Sequence, residues 1–352
     1  MSLPFAKFLF VASVLAASSH AAPIEPGKQF FHKDWAAACD NVYSCEALSL
    51  APEVDGGDTA PAILISRESP NEAVTVKISL VAPSGNSYRI LIDGREVDRG
   101  ALAQGEWSII GSVADSLKLA RSIGRGRNMV IRGDDGTVLG KRTLKGSAAA
   151  LIHIDMMQNR ARTRTALFLV GRREQAARSV ALPVITATRI GKQSAVPDAG
   201  TIIGMVENAK CSSDSSTVTE NSAVSLGKKD SRHRVLLQVS CGTGAYNMAV
   251  APYVGSSADG KKWAFAPARF DYPDQADEGM DGVKLLSNPS WDAATQQLSS
   301  FHKGRGSGDC GTAQTYVWDG DVFRLVEAFA MDECRGSTEW MQLWRARVEF
   351  KD

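Results

Sequence analysis

Runs in which apolar and polar side chains alternate recur through most of the chain. They fall at 62–66, 74–81, 88–92, 129–132 and 138–139 in the first half, and at 235–239, 246–253, 263–270, 298–301, 315–318 and 322–326 in the second. A period of two puts successive side chains on opposite faces, so each run predicts a strand with one face on a core. Asp93-Gly94 closes the run at 88–92, and Asp135-Gly136 and Asp319-Gly320 each stand between two such runs. They predict hairpins, because tight two-residue turns need the positive φ that Gly and Asp tolerate. Leu117, Ala120 and Ile123 have helical spacing and predict a helix over 116–123; a second is predicted over 147–159, followed by a strand at 166–170. The segment 340–350 suits a strand or a short helix. No period of about 20 to 50 residues recurs, so Trp318-Asp319 does not mark a propeller blade. The pattern predicts a mainly β fold, a β-rich α+β class. Two antiparallel sandwich-like domains are expected, with one or two short helices in the first.

Chain length supports the division, since 352 residues exceed what one core usually serves. Two prolines and several small polar residues between Pro183 and Pro197 mark the connection. The expected plan is an N-terminal domain over 22–178, a linker over 179–199 and a C-terminal domain over 200–352. Ahead of it, Lys7, an apolar run over 8–17 and Ser19-His20-Ala21 read as a cleavable export signal, 1–21. The apolar run is about half of what spans a bilayer, and no later stretch is long enough to do so. The expected address is periplasmic or secreted.

Charge is unevenly spread although the net value is +1. Residues 118–192 hold 16 basic against 4 acidic side chains, whereas both flanks are acidic. A solvated face accounts for this; attachment to an anionic envelope component or an acidic protein uses it. Nucleic acid is not expected as the partner of an exported chain.

The six cysteines are Cys39, Cys45, Cys211, Cys241, Cys310 and Cys334, an even set in three neighbouring couples. In an oxidising compartment such a set reads as disulfides, with connectivity open among fifteen possibilities and local pairing the economical choice. No Cys-x-x-Cys and no paired histidines are present, so no metal or cofactor is expected. The stretch Gly304-Arg305-Gly306-Ser307-Gly308-Asp309-Cys310-Gly311 contains Gly-x-Gly-x-x-Gly, yet a strand pattern follows it where a dinucleotide site needs a helix. Gly308-Asp309-Cys310-Gly311 also looks like the nucleophile loop of chymotrypsin-like cysteine proteases, with His32, His153 or His233 as an upstream base. Using Cys310 as a nucleophile leaves one cysteine of an even set unpaired, which favours a bridged Cys310.

Arg160, Arg162 and Arg164 alternate with smaller residues, and Arg125 and Arg127 repeat the spacing. In an extended segment this aligns the guanidinium groups on one face, a fork-shaped donor set suited to phosphate or carboxylate. An edge strand protected by charge gives the same pattern. Asp155 and Gln158 precede them at helical spacing and suit a helix-terminal hydrogen-bond cluster, while His153 and Asp155 fall on different faces of a helix. Trp318, Trp340 and Trp344 read as core or hairpin-face residues, an exposed pair being able to serve as a glycan platform.

Three blocks carry a resemblance. They are Phe31-x-x-Asp34-Trp35-x-x-x-Cys39-Asp40-Asn41-x-x-x-Cys45, then Asp155-x-x-Gln158-x-Arg160, then the run from Gly304 to Gly311 on through Trp318-Asp319-Gly320 to Glu333-Cys334-Arg335-Gly336. As a set they resemble the bacterial domain of unknown function 1176 family of exported proteins. Asn159 stands where that family suggests a glycine, a departure that bears on the local turn. The first domain is also distantly similar to the invasion-associated locus B family. Both resemblances imply an envelope-located, β-rich module and offer no catalytic set. The expected function is therefore a non-enzymatic binding or envelope-associated module; the alternatives are a cysteine hydrolase using Cys310 and an inhibitor that plugs an enzyme with a stapled loop near Cys39 or Cys310.

Overall fold

The computed structural model describes residues 24–51, 60–81, 83, 85–111, 113–174, 176–191, 194–209, 223–272, 283–337 and 339–351. The segment 1–21 read as an export signal, and Cys211, lie outside the described residues.

Strands dominate, and they form where alternation places them. In Ser87–Ile92 the side chains of Tyr88, Ile90 and Ile92 are buried while their neighbours are partly exposed. Two antiparallel sheets build the first half. One runs Gln29–His32, Trp35–Cys39, Cys45–Ser49, Ala62–Arg67, Thr75–Ser79, Ile109–Ile110, and the other Val138–Thr143, Asn128–Gly133, Ser87–Ile92, Arg95–Ala101. The helices α1 (Val113–Arg125) and α2 (Ser147–Met157) complete this half, with Leu119 and Ile123 of one and Leu151 and Ile154 of the other entering the same core as Trp35, Ile63, Ile90 and Ile131. Burial at roughly 25 cal/mol per Å² of apolar surface is what holds these layers together.

Two further antiparallel sheets build the second half. The first is ordered Ala223–Lys229, Arg232–Thr243, Met248–Ser257, Ala264–Pro267, and the second Ser290–Asp292, Gln297–Lys303, Gly311–Trp318, Phe323–Met331, Met341–Arg345. Leu236 and Leu298 meet Tyr316, Trp318 and Phe323 between them. All three Asp-Gly hairpins form where expected, joining Ile92 to Arg95, Arg132 to Val138 and Trp318 to Phe323. The segment 340–350 resolves as two strands, Met341–Arg345 and Arg347–Lys351.

Two expectations are corrected. Residues 166–170 form no strand, because the amides of Leu167, Phe168 and Leu169 are taken by the Asp155 carboxylate and are lost to any ladder. The stretch 179–199 is not plain connection: Val184–Thr188 within it pairs in parallel with Arg347–Lys351 at the far end of the chain. Helix α3 (Ala199–Asn208) then starts at Asp198, whose side chain accepts the Thr201 N–H at 2.7 Å, an ordinary N-cap.

The halves share a seam. Ala36, Ala38, Leu48 and Leu64 on the outer face of the six-stranded sheet pack with Cys310, Met331 and Met341. Around this apolar strip the charged groups are matched: Arg335 Nη2 lies 2.7 Å from Asp34 Oδ1, Arg345 Nε 2.5 Å from Asp40 Oδ2, and Asn41 exchanges two hydrogen bonds with the Arg345 backbone. Cys39–Cys45 and Cys310–Cys334 are bridged, and Cys241 is also disulfide-bonded. Each of the two mapped bridges therefore closes a loop at the seam.

Candidate anion-binding site

The site is assembled where α2 ends. Asn159 has φ of 60°, the left-handed region that Asn tolerates better than most residues, and it turns the chain out of the helix. The turn that follows is held from beneath. Asp155 Oδ1 accepts the Leu167 N–H at 2.7 Å, and its Oδ2 accepts those of Phe168 and Leu169 at 2.8 and 3.1 Å. Arg67, from a neighbouring strand, donates through Nε to Gln158 Oε1 at 2.6 Å, through Nη1 to the Thr165 carbonyl at 2.8 Å, and through Nη2 to Asp155 at 3.2 Å. Both members of the Arg67–Asp155 pair have fully buried side chains. Burial pulls the Arg67 guanidinium down to about 10, against the opposing pull of Asp155. From the other side Arg121 of α1 grips the carbonyls of Arg164 and Ala166, both at 2.8 Å through Nη2.

The chain then folds back on itself. Arg162, at φ of 66°, donates its N–H to the Leu169 carbonyl at 2.6 Å, and its own carbonyl accepts the Arg173 N–H at 2.8 Å. Gly171 sits against this crossing so closely that a Cβ there would lie 2.4 Å from the Arg162 carbonyl oxygen, which explains the glycine. The outcome is a rim of four exposed arginines, Arg162, Arg164, Arg172 and Arg173. Arg164, Arg172 and Arg173 face a cavity of about 520 Å³ that Thr163, Thr165 and Glu72 also line. Arg162, Arg172 and Arg173 border a second hollow of about 600 Å³.

Arg160 forms the floor of the first cavity and is 3 % exposed. Its Nη atoms donate to the Thr165 hydroxyl and to the Pro70 and Asn71 carbonyls, while its buried Nε has no hydrogen-bond partner. Burial lowers its pKa, partly offset by Glu72 3.9 Å away. Guanidinium groups set around a hollow are suited to an oxyanion, above all to a carboxylate or phosphate.

The structure redraws how these arginines are arranged. Arg160, Arg162 and Arg164 do not line one face of an extended segment: the segment is a turn, with Arg160 turned inward and Arg162 and Arg164 outward. Arg125 is the last residue of α1 and Arg127 lies in the loop beyond, where its backbone N–H meets the Asp93 carboxylate; both side chains are exposed. Arg172 and Arg173 were not among the residues singled out by the sequence. The available signal was the arginine pair placed directly after a glycine.

The other chemical readings meet specific obstacles. Cys310 is bridged to Cys334 and 2 % exposed, so the sulfur that the hydrolase alternative requires as a thiolate is already in a covalent bond. His153 stacks on Phe30 at 4.8 Å, and burial lowers its pKa. Among the described residues its buried Nε2 has no hydrogen-bond partner. The loop closed by Cys39 and Cys45 is packed into the seam, with Asp40 and Val42 each 3 % exposed, whereas Gly304, Arg305, Gly306 and Ser307 ahead of Cys310 are exposed. Among the described residues no group of three His, Cys, Asp or Glu is placed to hold a metal ion, and no helix is long and apolar enough to cross a membrane. Trp318 is buried in the core, and Trp340 stacks face to face on Phe301 at 4.5 Å.

A family model described as a protein of unknown function, DUF1176, matches residues 29–347. An Escherichia coli (strain K12) relative, the uncharacterized protein YpfG, is 26% identical over 348 residues, covering 92% of this chain and 94% of its own length. No solved structure matches.

Proposed function

Because the chain belongs to the DUF1176 family, whose description supplies no activity, we propose from the geometry of the chain itself that it is a disulfide-stabilised, non-enzymatic binding module. It acts outside the cytoplasm, in the periplasm or beyond, and it engages an anionic component of the cell envelope through Arg162, Arg164, Arg172 and Arg173. The observation that carries the reading is the arginine rim over the buried, under-satisfied Arg160. Buried polar groups are nearly always hydrogen-bonded, and one left open beneath four exposed arginines that outnumber the lining carboxylates Glu72 and Glu174 is an arrangement suited to an anionic ligand. Disulfides persist in oxidising compartments, which supports the location.

Co-sedimentation with lipopolysaccharide micelles, with an anionic polysaccharide as a second probe, tests the proposal. Binding at low salt that falls steeply as salt is raised, and that drops at least tenfold in Arg162→Ala/Arg164→Ala, is the expected outcome. Absence of binding to both probes, or binding indifferent to these substitutions, sinks it.

A further inference from the structure

The second half carries a groove of different character. In the sheet that runs Arg232–Thr243, Met248–Ser257, Ala264–Pro267, the register sets Arg234 opposite Ser256 and Ser256 opposite Ala264. One step along, Val254 stands opposite Ala266. These side chains share one face because the cross-strand rows of a sheet do. Serine and two alanines in adjacent rows are too small to fill the space above the strands, and a hollow of about 310 Å³ results. Trp318 contributes to its lining and also belongs to the core beneath, while the ring of Phe265 packs on the opposite face, over Gly255. Val254, Ala264, Ala266 and Trp318 therefore give the groove an apolar strip beside its polar groups.

Its rim is basic. Arg232, Arg234 and Arg269 line it, against the single carboxylate of Asp321. Arg269 is spent on Asp321 in an exposed ion pair, which holds that carboxyl below the usual range. Arg232 commits its Nε to the Ser256 hydroxyl at 2.8 Å. Arg234 differs from both: its buried Nε makes no hydrogen bond, and its charge reaches Asp321 only as the smallest of the contributions that hold that carboxyl down. A guanidinium binds a carboxylate in a fork through two parallel N–H groups, and Nε with one Nη is such a pair. A buried donor without an acceptor costs free energy until something supplies one.

We infer that this groove is a second binding site, for a small amphipathic carboxylate. The carboxylate takes the fork of Arg234, with Arg232 adding charge at the entrance, and an aliphatic or aromatic body lies over Val254, Ala264 and Ala266. The volume is at the lower end of ligand pockets, which matches a small molecule and not a polymer. The site does not depend on the arginine rim of the first half, since it uses different residues, a different sheet and an apolar contact the rim lacks.

The test is calorimetric titration of the disulfide-intact, full-length mature protein with octanoate, octanol and inorganic phosphate. Octanoate is expected to bind saturably, octanol and phosphate at least tenfold more weakly. Arg234→Leu is expected to weaken octanoate at least tenfold. Ala266→Trp, a change at an exposed position that fills the groove without touching the core, is expected to abolish it. Arg162→Ala/Arg164→Ala is expected to leave it unchanged, so failure here and failure of the rim are separately visible. Equal binding of octanol removes the role of Arg234, equal binding of phosphate removes the apolar contact, and undiminished binding in Ala266→Trp or no saturable binding at all overturns the site.

Discussion

Arg67 and the arginines at 162, 164 and 172 stand on opposite sides of one turn, and their surroundings could hardly differ more. All three nitrogen positions of Arg67 are taken, by Gln158, Thr165 and Asp155, in the dry interior. Among the described residues the guanidinium groups of Arg162, Arg164 and Arg172 make no hydrogen bond and no ion pair, and all three are exposed. The inner arginine fixes the turn and the outer ones are presented by it. Saturation of donors separates a brace from a binding surface where residue type does not.

The largest effect should come from breaking the brace. Asp155→Ala leaves the buried Arg67 charge uncompensated and should cost about 3–5 kcal/mol in urea unfolding. Adding Arg67→Met to it sharpens the comparison. The double variant should recover only part of the loss, because the Leu167, Phe168 and Leu169 amides stay without an acceptor; full recovery would show that the ion pair alone matters. Next in size is the seam. Replacing Cys310 and Cys334 by serine, which opens a bridge across a sequence separation of 24, should cost about 2–4 kcal/mol. On the outer side of the turn the contrast reverses: Arg162→Ala/Arg164→Ala should change stability by less than about 0.5 kcal/mol, as surface substitutions do. A loss comparable to that of Asp155→Ala would erase the distinction between brace and rim.

The smallest effect concerns pH at the seam, where burial pushes the carboxyls of Asp40, Glu46 and Glu339 up. For Glu339 the hydrogen bond to Glu106 adds to the burial, and for Glu46 the nearby Asp40 does, with Lys77 opposing in both cases. A carboxyl whose folded pKa lies above its unfolded one holds its proton more tightly when folded. It costs nothing below the unfolded value of 4.5, and stability falls as pH rises from there through the folded pKa. Glu339→Gln should therefore be neutral at pH 4 and stabilising at pH 7 in paired thermal unfolding curves; the opposite order would contradict the assignment.

Much of this fold could be read from local pattern. Alternation and Asp-Gly turns located the hairpins because a hairpin's partner strands are neighbours in sequence. Val184–Thr188 escaped because its partner, Arg347–Lys351, lies at the other end of the chain and pairs in parallel. The turn at 160–170 was misread for a related reason. Arginine alternation at 160, 162 and 164 imitates a strand, and only the three-dimensional position of Asp155 reveals where the following amides go. The motif blocks proved to be architectural: Asp34, Asp40 and Asn41 meet Arg335 and Arg345 across the seam, and Asp155 with Gln158 holds Arg67. What the motifs did not contain, Arg172 and Arg173, completes the rim.

The central claim is that the rim, supported by the brace, binds anions. It is tested most directly by titrating a fluorescent sulfated oligosaccharide into the wild-type protein and into Arg162→Gln/Arg164→Gln/Arg172→Gln/Arg173→Gln, at 20 and 200 mM salt as chosen conditions of roughly 20 and 7 Å Debye length. The account predicts wild-type binding that weakens at least tenfold across that range, and a folded quadruple variant with neither the affinity nor the salt dependence. Equal binding by the two proteins at low salt would contradict it.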